Sequence, residues 1–232
     1  MGGARLDVVV MAAGEGRRLR PLTERYPKPV LPIDGRPVIA TLLQELRAAG
    51  IERVTVVTGH LAEQVEELLA GFPLELRFVR QPEPLGSADA VRRGLQAVPA
   101  LVVAADTVFT PGDVGRFVAT PGHAIAARRD PPPEPPGRYA LGIEDGRVTR
   151  VLDDDPANPL AAAPLWRLGE SFDPGLLDEL GGPPYELAEA FQRLIDAGET
   201  VHGVEIGPTR DLTHPLDLME NNFSYLRALR AT

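Results

Sequence analysis

The segment Gly14-Glu15-Gly16-Arg17-Arg18-Leu19, followed by Lys28, gathers the residue types that bind phosphate. Small residues let backbone amides approach an anion, while arginine and lysine supply charge for a polyphosphate. The loop is not a P-loop, because no Gly-Lys-Ser/Thr follows. Nor is it a dinucleotide loop: the third glycine is missing, and Pro21, Pro27 and Pro29 prevent a helix from starting at once. What remains is an excursion from Ala12 to Pro32 that suits the triphosphate of an NTP, with Ala13, Gly14 and Gly16 against the nucleotide. Of 24 basic residues, Lys28 is the only lysine. Where arginine has replaced lysine everywhere else, the surviving one marks a place for a compact ammonium rather than a planar fork.

Such a loop must be held by strands and helices. Leu6 to Met11 reads as a buried parallel strand running into it. Arg36 to Ala49 has the apolar spacing and terminal Gly50 of an amphipathic helix. Val54 to Val57 and Leu74 to Val79 are strands around a helix at Leu61 to Ala70. Ser87 caps a helix running to about Ala97, and Leu101 to Ala105 is a fourth strand. This alternation predicts a doubly wound parallel sheet. The pattern then changes. Asp130 to Gly137 carries five prolines and is neither helix nor central strand. Tyr139 to Ile143 and Arg147 to Leu152 flank Glu144-Asp145-Gly146, a hairpin signal. Asp153 to Ala163 reads as an irregular loop, Glu186 to Ala197 as a helix, Val201 to Ile206 as a strand and Pro215 to Leu229 as a closing helix. The expectation is one α/β domain over residues 1–232, with a nucleotide-binding half (1–112) and an acceptor-binding half (113–232) containing a smaller antiparallel part.

Composition narrows the partners. A net charge of −9 speaks against nucleic acid, whose backbone needs a basic face. No apolar run reaches the length of a membrane span, and Met1 to Leu6 lacks the basic stretch and apolar core of a signal peptide. With no cysteine, thiolate metal sites and a cysteine nucleophile are excluded. The expectation is a cytoplasmic enzyme, with room left for a homo-oligomer.

Met11-Ala-Ala-Gly-Glu-Gly-Arg-Arg-Leu-Arg-Pro-Leu-Thr23, Pro27-Lys-Pro-Val-Leu-Pro-Ile33 and Gly35-Arg-Pro-Val-Ile39 together resemble the signature of the sugar-1-phosphate nucleotidyltransferases, the NDP-sugar pyrophosphorylases. Gln81 with Pro84-Leu-Gly-Ser-Ala-Asp-Ala90 is similar to that family's base-recognition segment, which implies that Gln81, Gly86 and Ser87 meet the nucleobase. Asp106, in Ala105-Asp-Thr-Val-Phe109, looks like the first metal-binding aspartate, and Asp211, in Arg210-Asp-Leu-Thr-His-Pro215, looks like the second. The resemblance implies a Rossmann-like mixed sheet, NTP and sugar-phosphate substrates, and Mg²⁺ on Asp106 and Asp211. Arg18 would then grip the β and γ phosphates and Lys28 the α-phosphate. Sugar-side candidates are Tyr139, Asp154 and Trp166. The base segment looks closest to members that transfer thymidylyl and uridylyl groups, so dTTP or UTP is expected.

The acceptor side departs from the family pattern. Asp154-Asp155-Pro156 stands where the family commonly has Glu-Lys-Pro, whose lysine meets the acceptor phosphate. Pro164 replaces a glycine before an aromatic, and Thr213-His214-Pro215 replaces Gly-Thr-Pro. Either an arginine such as Arg128, Arg138 or Arg167 substitutes for the lysine, or the acceptor is a non-sugar phosphate such as phosphocholine. A catalytically silent nucleotide-sugar-binding protein is the reading from another class. His60, His123, His202 and His214 show no metal-ligand spacing and read as surface or loop residues.

Overall fold

Asp7–Ala12 (β1), Arg53–Thr58 (β4), Glu75–Arg80 (β5) and Ala100–Ala104 (β6) are parallel strands. Three of them, β1, β4 and β6, are rich in valine because both faces of an inner parallel strand are covered. The computed structural model describes residues 6–129, 140–153, 155 and 158–223. Tyr139, Asp154, Arg138 and the proline run at 130–137 lie outside them. Among the described residues, β1 is followed by two two-residue strands, Pro32–Ile33 (β2) and Arg36–Pro37 (β3), which pair antiparallel. The later strands are Thr107–Val108 (β7), His123–Arg129 (β8), Ala140–Glu144 (β9), Arg147–Asp153 (β10), Leu160–Leu168 (β11), Val201–Glu205 (β12) and Arg210–Asp211 (β13). The helices are Val38–Ala48 (α1), Ala62–Leu68 (α2), Ser87–Gly94 (α3), Asp113–Val118 (α4), Leu187–Asp196 (α5) and Pro215–Asn222 (α6).

Nine strands form one mixed sheet in the order β5-β4-β1-β6-β11-β8-β12-β10-β9. Alternate side chains point to opposite faces. Val8, Val10, Leu101 and Val103 therefore pack with α1, α2 and α4, whereas Val9, Val102 and Ile125 pack with α3 and α5. Helices on both faces make the sheet doubly wound, as the alternation predicted. A crevice for ligand is expected beyond the carboxyl ends of its parallel strands, and the glycine loop leaves β1 at that edge.

Four expectations change. Residues 160–163, read as loop, begin β11, which sits antiparallel between β6 and β8 in the middle of the sheet. Leu-Ala-Ala-Ala-Pro-Leu is a poor strand former by propensity, but burial between two strands overrides that. A register shift between Ala162 and Trp166 absorbs Pro164, which has no amide to donate. Helix α3 stops at Gly94, short of Ala97. Ser87 does not cap it: the cap residue is Gly86, and the serine hydroxyl is used elsewhere. The fourth change is His123, read as a surface or loop residue but only 2% exposed on β8.

Its Nδ1 accepts the Gly169 amide at 3.0 Å and its Nε2 lies 3.1 Å from the Ser171 hydroxyl. Burial lowers the His123 pKa from its ordinary value near 6.5, against an opposing pull from Glu199 and Glu170. A depressed histidine contributes stability above its unfolded pKa and loses it as pH falls, so thermal unfolding midpoints should drop between about pH 7 and about pH 5. In His123→Asn that drop should be smaller, and an equal one would show that His123 is not the titrating group.

Candidate active site

The glycine loop is braced by hydrogen bonds to its backbone. Gly16 has φ +63°, the region glycine adopts freely, and a Cβ there would stand 2.8 Å from Thr23 Cγ2. Thr23 Oγ1 donates to the Gly16 carbonyl at 2.9 Å, and His60 Nε2 donates to the Thr23 carbonyl at 2.5 Å. His60 is therefore a brace for the loop rather than a bystander. Arg17 and Arg20 turn back onto Glu15 at 2.6 and 3.7 Å. Arg18 has no ion-pair partner among the described residues and lines two adjoining clefts, of about 440 and 610 Å³. Ala13, Gly14 and Gly16 line the first. Lys28, Asp106 and Ser87 line both.

Lys28 lies between two prolines in a single 3-10 turn, which fixes where its side chain starts. Its ammonium pairs with Asp106 across a sequence separation of 78. Strand β13 pairs with β7, setting Asp211 opposite Thr107, one residue beyond Asp106. Asp211 in turn pairs with Arg128, which also donates to the Thr209 hydroxyl. Asp211 is held by this short ladder and by Asn221, which donates to its carbonyl at 3.3 Å. Beneath these groups Leu19, Leu31, Ile33, Val38, Val108 and Leu212 form a separate buried cluster. It contains a near neighbour in sequence of each of Arg18, Lys28, Asp106 and Asp211, so one small apolar core positions all four.

Gln81 is 5% exposed and closes the other end of the first cleft. Its Nε2 donates to the Gly86 carbonyl at 3.0 Å and to Asp89 Oδ2 at 2.9 Å. Both amide hydrogens are spent, so Gln81 offers the cleft only the acceptor Oε1, and not the donor and acceptor that its chemistry allows in isolation. Asp89 enforces this orientation. Burial alone would raise its pKa, but hydrogen bonds from Arg93, Arg92 and Gln81 outweigh it and lower the value to about 2. An ionised carboxylate only accepts, which fixes which end of the amide faces it. Gly86, at φ +109°, is required by the backbone: a Cβ would stand 2.3 Å from the Tyr185 carbonyl. Ser87 Oγ donates to Glu186 at 2.7 Å and accepts the Leu187 amide at 2.8 Å, capping α5 in place of its own helix.

Of the remaining candidates, Trp166 is 9% exposed, packs against Phe191 with ring centroids 4.9 Å apart and planes tilted by 53°, and lines the larger cleft. Arg167 is buried against the Val118 carbonyl and Glu170 and lines neither cleft. Thr23, His60, Asp89 and Tyr185 act by holding other site residues. The periodicities that mark elements carry no signal for them.

Residues 8–166 match the family of MobA-like NTP transferase domains. The chain belongs to this family. It is 27% identical over 234 residues to the bifunctional protein GlmU of Methanococcus maripaludis, covering 97% of this chain and 55% of that protein. The chain thus spans about half the length of that relative. It is 33% identical over 178 residues to the CMP-5'-(3-aminopropyl)phosphonate synthase of Streptomyces rubellomurinus, covering 71% of this chain and 28% of that one. In structure it overlays UDP-glucose pyrophosphorylase, solved with UDP-glucose, at a TM-score of 0.82 and 18% identity, covering 96% of this chain and 99% of the other. That overlay bears out the Rossmann-like mixed sheet, and the family bears out the resemblance read from the phosphate loop.

Asp89→Asn would let the Gln81 amide turn over, because an asparagine can either donate or accept. Discrimination between nucleotides whose base edge donates and those whose edge accepts should narrow about tenfold, the worth of one satisfied polar contact. Isothermal titration with each NTP measures it, and unchanged ratios would mean that Gln81 holds its orientation without Asp89.

Proposed function

We propose that the chain transfers a nucleotidyl group from an NTP to a sugar 1-phosphate, releasing pyrophosphate. The observation that carries this reading is the meeting of Lys28 with Asp106 at the mouth of the glycine loop, with Asp211 delivered beside them. In the reaction an acceptor phosphate oxygen attacks the α-phosphorus in line. The new P–O bond forms as the bond to the bridging oxygen breaks, and pyrophosphate leaves with the electron pair. Most of the work is positioning and charge neutralisation. Arg18 would hold the outer phosphates, and Lys28 would stabilise charge building on the α-phosphate.

Asp106 and Asp211 fit Mg²⁺. Among the described residues no three His, Cys, Asp or Glu side chains cluster to form a complete metal cage. Mg²⁺, however, is commonly held by one or two carboxylates together with substrate phosphates. Asp211 Oδ1 is buried with no hydrogen-bond partner among the described residues, so a lone pair is left for a cation. Bound there, Mg²⁺ would supply charge neutralisation and orientation of the triphosphate.

Gln81 Oε1 suits the imide N3–H of uracil or thymine, which supports UTP or dTTP. The amino groups of cytosine and adenine and the N1–H of guanine also donate, so every NTP belongs in the screen, and the preference for UTP or dTTP rests on the resemblance of the segment around Gly86. A second acceptor reading has its own support. Part of the larger cleft's lining, Val151, Ala162, Ala163, Pro164 and Leu187, gives sugar hydroxyls no side-chain partner, while Ser87, Thr107, Glu186 and Thr213 supply polar groups elsewhere in it. The product in the Streptomyces relative's name carries an aminopropyl phosphonate rather than a sugar. A non-sugar phosphate or phosphonate would suit such a wall.

Pyrophosphate release, screened over the NTPs against sugar 1-phosphates, phosphocholine and aminoalkyl phosphonates, tests both readings. Turnover should appear with a pyrimidine nucleotide and vanish on chelation with EDTA. No turnover with any pair would point to a silent nucleotide-sugar-binding protein. With the active pair, Lys28→Ala or Lys28→Arg should lower kcat about a hundredfold or more while the unfolding midpoint holds, since a fork cannot repeat the placement of a point charge. Near-normal turnover in Lys28→Arg would remove Lys28 from the mechanism.

A further inference from the structure

The chain's only lysine is committed to Asp106, so a phosphate on the acceptor must be met by some other cation. The three arginines that could serve are separated by the structure. Arg167 is buried away from both clefts, and Arg138 lies outside the described residues. Arg128 leaves β8 into the larger cleft, which it shares with Lys28, Asp106 and Trp166. Its guanidinium is not idle there: one nitrogen, Nη1, serves both Asp211 and the Thr209 hydroxyl. Asp211 meanwhile keeps Oδ1 buried and without a partner among the described residues. One side chain of each sign is therefore held in an arrangement that a second ligand can take over.

We infer that Arg128 is the ligand of the acceptor's terminal oxyanion, parked on Asp211 until that carboxylate is engaged by a divalent ion and then turned to a phosphate or phosphonate oxygen in the same cleft. The inference rests on the nucleotidyl-transfer reading for its acceptor. Two physical arguments support it. A guanidinium and a divalent ion draw on the same carboxylate lone pairs, so engagement of Asp211 by the ion weakens its hold on Arg128. Charge then favours the anion. Asp106 and Asp211 balance Lys28 and Arg128 as the chain stands, and a divalent ion leaves two positive charges in surplus. A phosphate monoester carries about one and a half to two negative charges near neutral pH, and a phosphonate between one and two. The planar fork of arginine matches two oxygens of such a group. Metal and oxyanion should consequently bind with positive coupling, and Arg128 should carry that coupling.

The test uses the whole chain without nucleotide, with Mn²⁺ followed by electron paramagnetic resonance, and inorganic phosphate or methylphosphonate followed by calorimetry. In the wild type, saturating Mn²⁺ should tighten either oxyanion about tenfold, a usual size for coupled sites. Arg128→Met should bind Mn²⁺ at least as tightly as the wild type, because its competitor for Asp211 is gone, while the coupling falls below about twofold. Arg128→Lys, which keeps the charge without the fork, should retain part of it. Asp211→Asn unloads Arg128 without any metal, so it should bind phosphate about tenfold more tightly than the wild type in the absence of Mn²⁺. Adding Arg128→Met to it should abolish that gain. Undiminished coupling in Arg128→Met, or weaker Mn²⁺ binding in a variant that still melts like the wild type, would overturn the inference and leave Arg128 a structural ion pair. Because no arm requires turnover, a failed pyrophosphate screen and a failed binding pattern are separate results.

Discussion

Two carboxylates facing one cleft repel each other unless each is given a cation, and much of this site follows from how that is done. Lys28 neutralises Asp106 and Arg128 neutralises Asp211, all four side chains being between 15% and 27% exposed. At that depth charges interact several times more strongly than in bulk water, so each carboxylate is better tolerated beside the other when a cation faces it. The cations come from a loop after β1 and from the end of β8, and the carboxylates from the turn between β6 and β7 and from β13. A constraint on charge thereby becomes a constraint on how four separated parts of the chain meet.

The meeting is held by apolar contact, since ion pairs this exposed contribute little rigidity. Leu19, Leu31, Val108 and Leu212 share one small buried cluster. Each lies within three residues of a charged group of the site. Helix α6 then clamps the arrangement. Asn222 Nδ2 donates to the Pro32 carbonyl at 2.8 Å, and its Oδ1 accepts the Gly35 amide at 2.8 Å. Arg210 reaches Asp34 at 2.5 Å. The C-terminal segment and the segment after Lys28 thus hold each other, which explains how a two-residue strand carrying Asp211 persists at the sheet's rim.

What could be read from the sequence follows how each feature is encoded. The parallel strands β1, β4 and β6 were legible because burial on both faces demands unbroken β-branched runs. The hairpin of β9 and β10 was legible because Asp145 and Gly146 both take positive φ, as the turn demands. Strands β8 and β11 were not legible: alanine and a proline carry no strand signal, and their place in the sheet is set by neighbours distant in the chain. At the site, Gly16, Lys28 and Asp106 were singled out by residue type and spacing, and the structure brings them to one cleft. Asp89, Tyr185 and His60 act through residues 8 to 99 positions away, and no local pattern announces them. Gly86 shows the limit well, for its type was noticed for a base it would meet, whereas the Tyr185 backbone is what excludes a side chain.

The contact between Gly86-Ser87 and Tyr185-Glu186-Leu187 also joins two tasks usually described apart. The Leu85 carbonyl accepts the Tyr185 amide at 2.7 Å, the Tyr185 carbonyl accepts the Ala88 amide at 2.9 Å, and Ser87 bridges Glu186 and Leu187. On one side of this zipper is Gln81, oriented through Gly86 and Asp89. On the other is Glu186, which lines both clefts at the head of α5. The pairing of residues 85–88 with 185–187 is therefore one wall common to both clefts. Because Gly86 leaves no room for a side chain against the Tyr185 backbone, the two clefts meet there by direct backbone contact.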